Sequence, residues 1–197
     1  MAFFTPKCKS LFNLSRQGLC CLWLLGFCLY SQLANADITI RSVETTYSNK
    51  VYQLNANIEY RLSKATIDAL KNGVPLIWLL DINVEKQRSW WWDKNVAKLE
   101  QGYLLLYHAL TENYLLTNLN SSAQNNYRSL HAALDALGHI QALPILDEKL
   151  LEPEAKYYVK VRMYLDIESL PAPMRPFAYL SSDWRLESNW YSWPLQR

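Results

Sequence analysis

Tyr52-Gln53-Leu54-Asn55-Ala56-Asn57-Ile58-Glu59-Tyr60-Arg61 alternates apolar and polar side chains without a break. Successive side chains of an extended strand point to opposite faces, so this stretch has one dry face and one wet face. A strand of that kind belongs in an antiparallel sheet with one side turned to water.

The same period recurs downstream. Trp78, Leu80, Ile82 and Val84 face one way, and Asp81, Asn83 and Glu85 the other. Tyr157, Val159, Val161, Met163, Leu165 and Ile167 alternate with Lys156, Tyr158, Lys160, Arg162, Tyr164 and Asp166. Residues 103–110 (YLLLYHAL) are apolar on both faces, which predicts a covered central strand. Thr111-Glu112-Asn113 can turn it back into a partner strand, Tyr114 to Leu119, and Trp184 to Trp193 can form a last strand.

Two short helices interrupt this pattern. Ser63 can cap one over Lys64 to Leu70, with Gly73 past its end and Pro75 beyond. Residues 126–137 place Tyr127, Leu130, Leu134 and Leu137 along one stripe, with Gly138 as a stop. Many short strands with mostly short connections predict a mainly β domain, a two-layer antiparallel β-sandwich with two short helices. An immunoglobulin-like arrangement is compatible with that pattern.

The start of the chain reads as an export signal. Lys7, Lys9 and Arg16 precede an apolar run from Leu19 to Leu29, and Ala34-Asn35-Ala36 offers a small-x-small cleavage pattern. That run is shorter than the ~20 residues a spanning helix needs. Residues 1–36 are therefore expected to be removed, leaving residues 37–197 as a single periplasmic domain with no membrane span. An uncleaved N-terminal anchor is the alternative.

The mature piece has a composition of its own. Cys8, Cys20, Cys21 and Cys28 all precede Asp37, so disulfides and thiolate chemistry are excluded after cleavage. Without Lys7, Lys9 and Arg16 the chain carries 17 basic and 18 acidic residues, a formal net charge of −1. No basic surplus points to nucleic acid. Gly73, Gly102 and Gly138 are too scattered to cradle a phosphate, which argues against nucleotide cofactors. His108, His131 and His139 show no metal-ligand spacing. Asp81 with Glu85, and the loop carboxylates Asp147, Glu148, Glu152 and Glu154, can take a cation or simply face water. No catalytic motif, cofactor or metal is expected.

Aromatic residues supply the binding candidates. Trp90, Trp91 and Trp92 are consecutive and lead into Asp93, so in a strand they cannot all enter one core. Indoles left outside can stack on a sugar, cap an apolar groove or anchor at a membrane interface. The plainer arrangement puts Trp90 and Trp92 in the sandwich end and Trp91 under the C-terminal tail. Trp190 and Trp193 close the chain, and Arg175 sits in a proline corner, Pro171-Ala172-Pro173-Met174-Arg175-Pro176. That corner reads as a stiff crossover with Arg175 as its latch, or as a proline-rich ligand for an aromatic groove.

Six segments together resemble a known bacterial family: NGVPL (Asn72 to Leu76), RSWWWD (Arg88 to Asp93), LYHALTENYLL (Leu106 to Leu116), ALDALG (Ala133 to Gly138), LPAPMRP (Leu170 to Pro176) and SNWYSWPL (Ser188 to Leu195). The chain is similar to exported proteins grouped as domain of unknown function, family 4390. The resemblance implies a link to a membrane sensor histidine kinase, hence envelope signalling, and brings no catalytic residues with it. Two functions of different class follow. One is a non-catalytic periplasmic module that binds another envelope protein. The other is a protein that binds or cleaves cell-wall glycan with tryptophans and carboxylates.

Overall fold

The structure is a computed structural model, and it describes residues 37–88 and 94–195. Two antiparallel sheets make up the domain. The smaller holds β2 (Val51–Arg61) between β1 (Asp37–Ser48) and β7 (His139–Asp147). The larger is ordered β6-β5-β4-β3-β8-β9: Gln124–Tyr127, Asn113–Asn118, Lys94–His108, Leu76–Lys86, Tyr157–Leu165 and Tyr191–Pro194. β3 to β6 form a consecutive meander in one sheet, unlike the crossed connections of an immunoglobulin domain.

The dry faces meet as the alternation requires. Tyr52, Leu54, Ala56, Ile58 and Tyr60 of β2 are buried, as are Trp78, Leu80, Ile82 and Val84 of β3 and Val159, Val161, Met163 and Leu165 of β8. Tyr60 and Trp78 join the two layers edge to face, with ring centroids 5.3 Å apart. At the neighbouring edges, Trp193 Nε1 of β9 donates to Thr45 Oγ1 of β1 at 3.5 Å. The architecture is the two-layer sandwich expected of the sequence.

Among the described residues there are three α-helices, not the two expected. α1 (Lys64–Lys71) begins where Ser63 Oγ accepts from Thr66 N at 3.0 Å. Gly73 beyond it has φ of 81°, a left-handed turn that glycine adopts without strain. α2 (Leu130–Gly138) is shorter than the stripe from 126 predicts, because Ser129 caps it through Ala132 N at 3.2 Å. Residues 124–127 are instead β6, with Tyr127 paired to Tyr114. α3 (Arg175–Leu180) replaces the extended crossover expected at the proline corner. Pro176 lies in its first turn, where proline's fixed φ suits a helix and its missing N–H costs no bond.

Three strands carry weak or no alternation in sequence: β1, β7 and the first half of β4. β1 has a register shift between Ile40 and Ser42, and β7 has shifts on both sides of its pairing with Gln53 and Leu54. A bulge breaks the period of two, so the apolar positions fall out of phase. The last strand is confined to Tyr191–Pro194, and Trp184 is buried in a 3-10 turn (Ser182–Trp184).

Candidate functional site

Trp90, Trp91, Trp92 and Asp93 fall between β3 and β4 in the sequence and lie outside the described residues. The other three candidates have definite places. Trp193 is half-buried, turned inward against the core and bonded to Thr45 as above. Trp190 faces out, 44% exposed, with its ring over the Arg162 guanidinium at 4.8 Å. Arg162 lies at the same distance, 4.8 Å, from the Tyr164 ring and pairs with Asp81 at 2.9 Å. Trp190 therefore caps a stack of aromatic, cation and aromatic on the outer side of β8.

Arg175 anchors the proline corner from within. Its Nε donates to Leu170 O at 2.8 Å, and one terminal nitrogen lies 3.8 Å from Glu168 Oε2. Glu168 also accepts from the Tyr179 hydroxyl, and that bond raises the Tyr179 pKa above the ordinary phenol value. On its inner side α3 buries Ala178 and packs Met174 against the core. These ties leave its other side projecting: Phe177 is 74% and Leu180 88% exposed, beside exposed Pro171, Ala172, Pro173 and Pro176.

A cleft of about 210 Å³ runs along this corner, lined by Tyr164, Asp166, Glu168, Tyr179, Trp184, Arg185 and Glu187 among others. Tyr164 also belongs to the Trp190 stack, and Glu168 to the Arg175 latch, so each of the two predicted residues adjoins a residue that lines this cleft. The charged residues that line it are Asp166, Glu168 and Glu187 against Arg185. The apolar projection thus has an acidic border.

Of the carboxylates singled out in the sequence, Asp81, Glu85, Asp147, Glu148 and Glu152 are engaged by protein groups. Asp81 and Glu85 pair across the sheet with Arg162 and with Lys160, the latter at 2.6 Å. Asp147 Oδ1 accepts from Lys149 N at 2.9 Å, Glu148 accepts from the Tyr47 hydroxyl at 2.5 Å, and Glu152 pairs with Lys86. The Glu148 bond lifts the Tyr47 pKa to about 12. Among the described residues no cluster of three or more His, Asp or Glu is arranged to hold a metal ion. His131 and His139 are exposed and line a second cleft of about 290 Å³ with Arg41, Glu59 and Asp135, on the wet face of the smaller sheet. His108 is exposed at the end of β4, not enclosed in an apolar strand.

The family described as a domain of unknown function (DUF4390) matches residues 35–194. The chain belongs to that family. The DUF4390 match begins just before β1 and ends within β9, so it covers both sheets of the sandwich. No curated protein and no solved structure matches the chain.

The exposed corner was only half legible in advance. Proline spacing marked it as stiff, but Phe177 and Leu180 look like core residues in the sequence. A signal was available: at a spacing of three Phe177 and Leu180 share a helical face that excludes Ala178.

Proposed function

We propose that this DUF4390 protein is an exported, non-catalytic interaction module that docks on another envelope protein through the corner formed by residues 171–180. The observation that carries the reading is the exposure of Phe177 and Leu180 on a helix held from behind by Arg175, Met174 and Ala178. Large apolar side chains that project from a fixed element lose little entropy when a partner covers them, and such anchors dominate interface energetics. The acidic border asks for an apolar groove with a basic rim, a pairing that steers association. The extracytoplasmic part of a membrane sensor kinase is the partner class that the family resemblance suggests. The basic residues Lys7, Lys9 and Arg16, the apolar run from Leu19 to Leu29 and the small-x-small Ala34-Asn35-Ala36 support export with cleavage before Asp37.

Glycan binding finds less support at the indoles. Trp190 has one ring face occupied by Arg162, and Trp193 is turned into the seam between the sheets.

The test compares the exported protein with a Phe177→Ala, Leu180→Ala double variant as bait on solubilised envelope, with crosslinking and mass spectrometry. The expected result is one envelope protein held by the parent, released by salt, and lost from an equally stable double variant. A partner held equally by both proteins would remove the corner from the docking surface.

A further inference from the structure

The outer face of the larger sheet is the second surface whose chemistry lacks a partner, and its register shows why. Leu105 and Tyr103 of β4 lie opposite Leu76 and Trp78, on the inner face. Leu104 and Leu106 must then point away from the core, with Leu104 level with Ile77 and Thr117 and Leu106 level with Leu115. In the next row Leu79 lies between Gly102 and Tyr164. The Leu119 side chain lies over Gly102, where a β-carbon would come 3.1 Å from Leu119 Cδ1. Ile77, Leu79, Leu104, Leu106, Leu115 and Leu119 thus form one apolar field across β3, β4, β5 and the residue that follows β5. The first five are half-buried and Leu119 is exposed.

Towards the other end of the same face the rows become polar: Glu100-Asp81-Arg162, then Lys98-Asn83-Lys160, then Glu85 with Tyr158. Asp81 with Arg162 and Glu85 with Lys160 are ion pairs, and Glu100 and Lys98 have opposite signs. The face carries no net charge.

A strand that is apolar on both sides is the mark of a sheet covered on both sides. Residues 103–107 of β4 have that composition, yet their outer face is left open among the described residues. We infer that a second copy of this chain covers it, the two larger sheets packing face to face as a symmetric dimer. Three properties select that occupant. A neutral face with its charges paired in place does not repel its own copy, whereas the acidic corner would. A broad pleated surface without a groove is best complemented by another sheet, aligned to it at roughly 30° and ~10 Å away. The face of β5, β4, β3 and β8, apolar field and polar rows together, offers on the order of 600 Å² per copy at ~4.8 Å strand spacing, which reaches the lower end of stable interfaces at ~1,200 Å² in total. This inference uses a different surface from the corner and stands whether or not the corner docks a partner.

The experiment is sedimentation velocity of the exported, processed protein from low micromolar to sub-millimolar concentration. Leu106→Glu, in the row shared with Leu115, and Leu119→Lys, at the exposed margin of the field, are run beside it. A dimer is expected, with Leu106→Glu weakening association roughly a hundredfold or more, because symmetry places the charge twice in one apolar contact. Leu119→Lys should weaken it less, while melting the domain at the parent temperature. The Phe177→Ala, Leu180→Ala variant should dimerise as the parent does. A parent that stays monomeric throughout overturns the inference, and so does a dimer that both Leu106→Glu and Leu119→Lys leave intact.

Discussion

The α-carbon of Gly138 sits against the carbonyl of Ile58: a β-carbon on residue 138 would enter the radius of the Ile58 oxygen and approach the Ile58 carbonyl carbon to 3.2 Å. The contact seats the end of α2 on β2, where the helix hands the chain to β7. The obstacle is backbone, which cannot swing aside as a side chain can. Gly138→Ala should therefore destabilise by about 1–3 kcal/mol, even though alanine is the better helix former by ~1 kcal/mol. Urea unfolding followed by tryptophan fluorescence measures the difference.

Trp78 is fully buried between the sheets. Trp78→Ala should cost about 3–5 kcal/mol, whereas Trp190→Ala should change stability by no more than ~0.5 kcal/mol, because Trp190 lies on the surface. Thermal melting of the two variants separates a core indole from a surface one.

The Tyr60 hydroxyl is buried with no hydrogen-bond partner, and burial pushes its pKa well above 10.0. In the unfolded chain the phenol ionises near its ordinary value while the folded form holds its proton. Stability is therefore intact below pH ~10 and falls as the pH rises beyond it. Tyr60→Phe removes both the orphan hydroxyl and this titration. It should be neutral or mildly stabilising at pH 7, and its stability curve should separate from the parent only above pH ~10. Denaturant titrations from pH 7 to ~11 would show the divergence.

Ser63 does more than start α1. Its hydroxyl also lies 2.9 Å from Thr66 Oγ1, which donates to Asp183 O at 3.0 Å and so ties the helix to the 3-10 turn beneath Trp184. Ser63→Ala should cost about 1–2 kcal/mol, the upper range for loss of a cap. Thr66→Val should also destabilise, and the double variant should lose less than the sum of the two. Melting curves of the three variants complete the cycle.

The exported protein should begin at Asp37. Its intact mass is the check, and replacing Ala36 with a bulky residue should leave residues 1–36 attached.

Residues 52–61, 76–86 and 157–165 announced themselves because each is buried on one side only, and a period of two survives wherever one face is wet and one is dry. Ser63 and Gly73 bracketed α1 through local backbone chemistry that needs no distant partner. Those properties, with the charge balance and the position of every cysteine, were determined by the sequence alone. Where β1 and β7 bulge, pairing shifts the register and scrambles the period, so neither strand could be read before its neighbour was known. The chain from 126 to 137 carried a helical stripe, yet Tyr127 went to β6, because pairing with Tyr114 outweighs a first helical turn that Ser129 can start later. Which apolar faces stay uncovered was only partly legible in the sequence. Phe177 and Leu180 have the side chains of core residues, as do Leu104 and Leu106, and composition cannot say which face of a helix or sheet finds a neighbour. Only the packed sandwich decided that, by turning Met174, Ala178, Tyr103 and Leu105 inward and leaving the others outside.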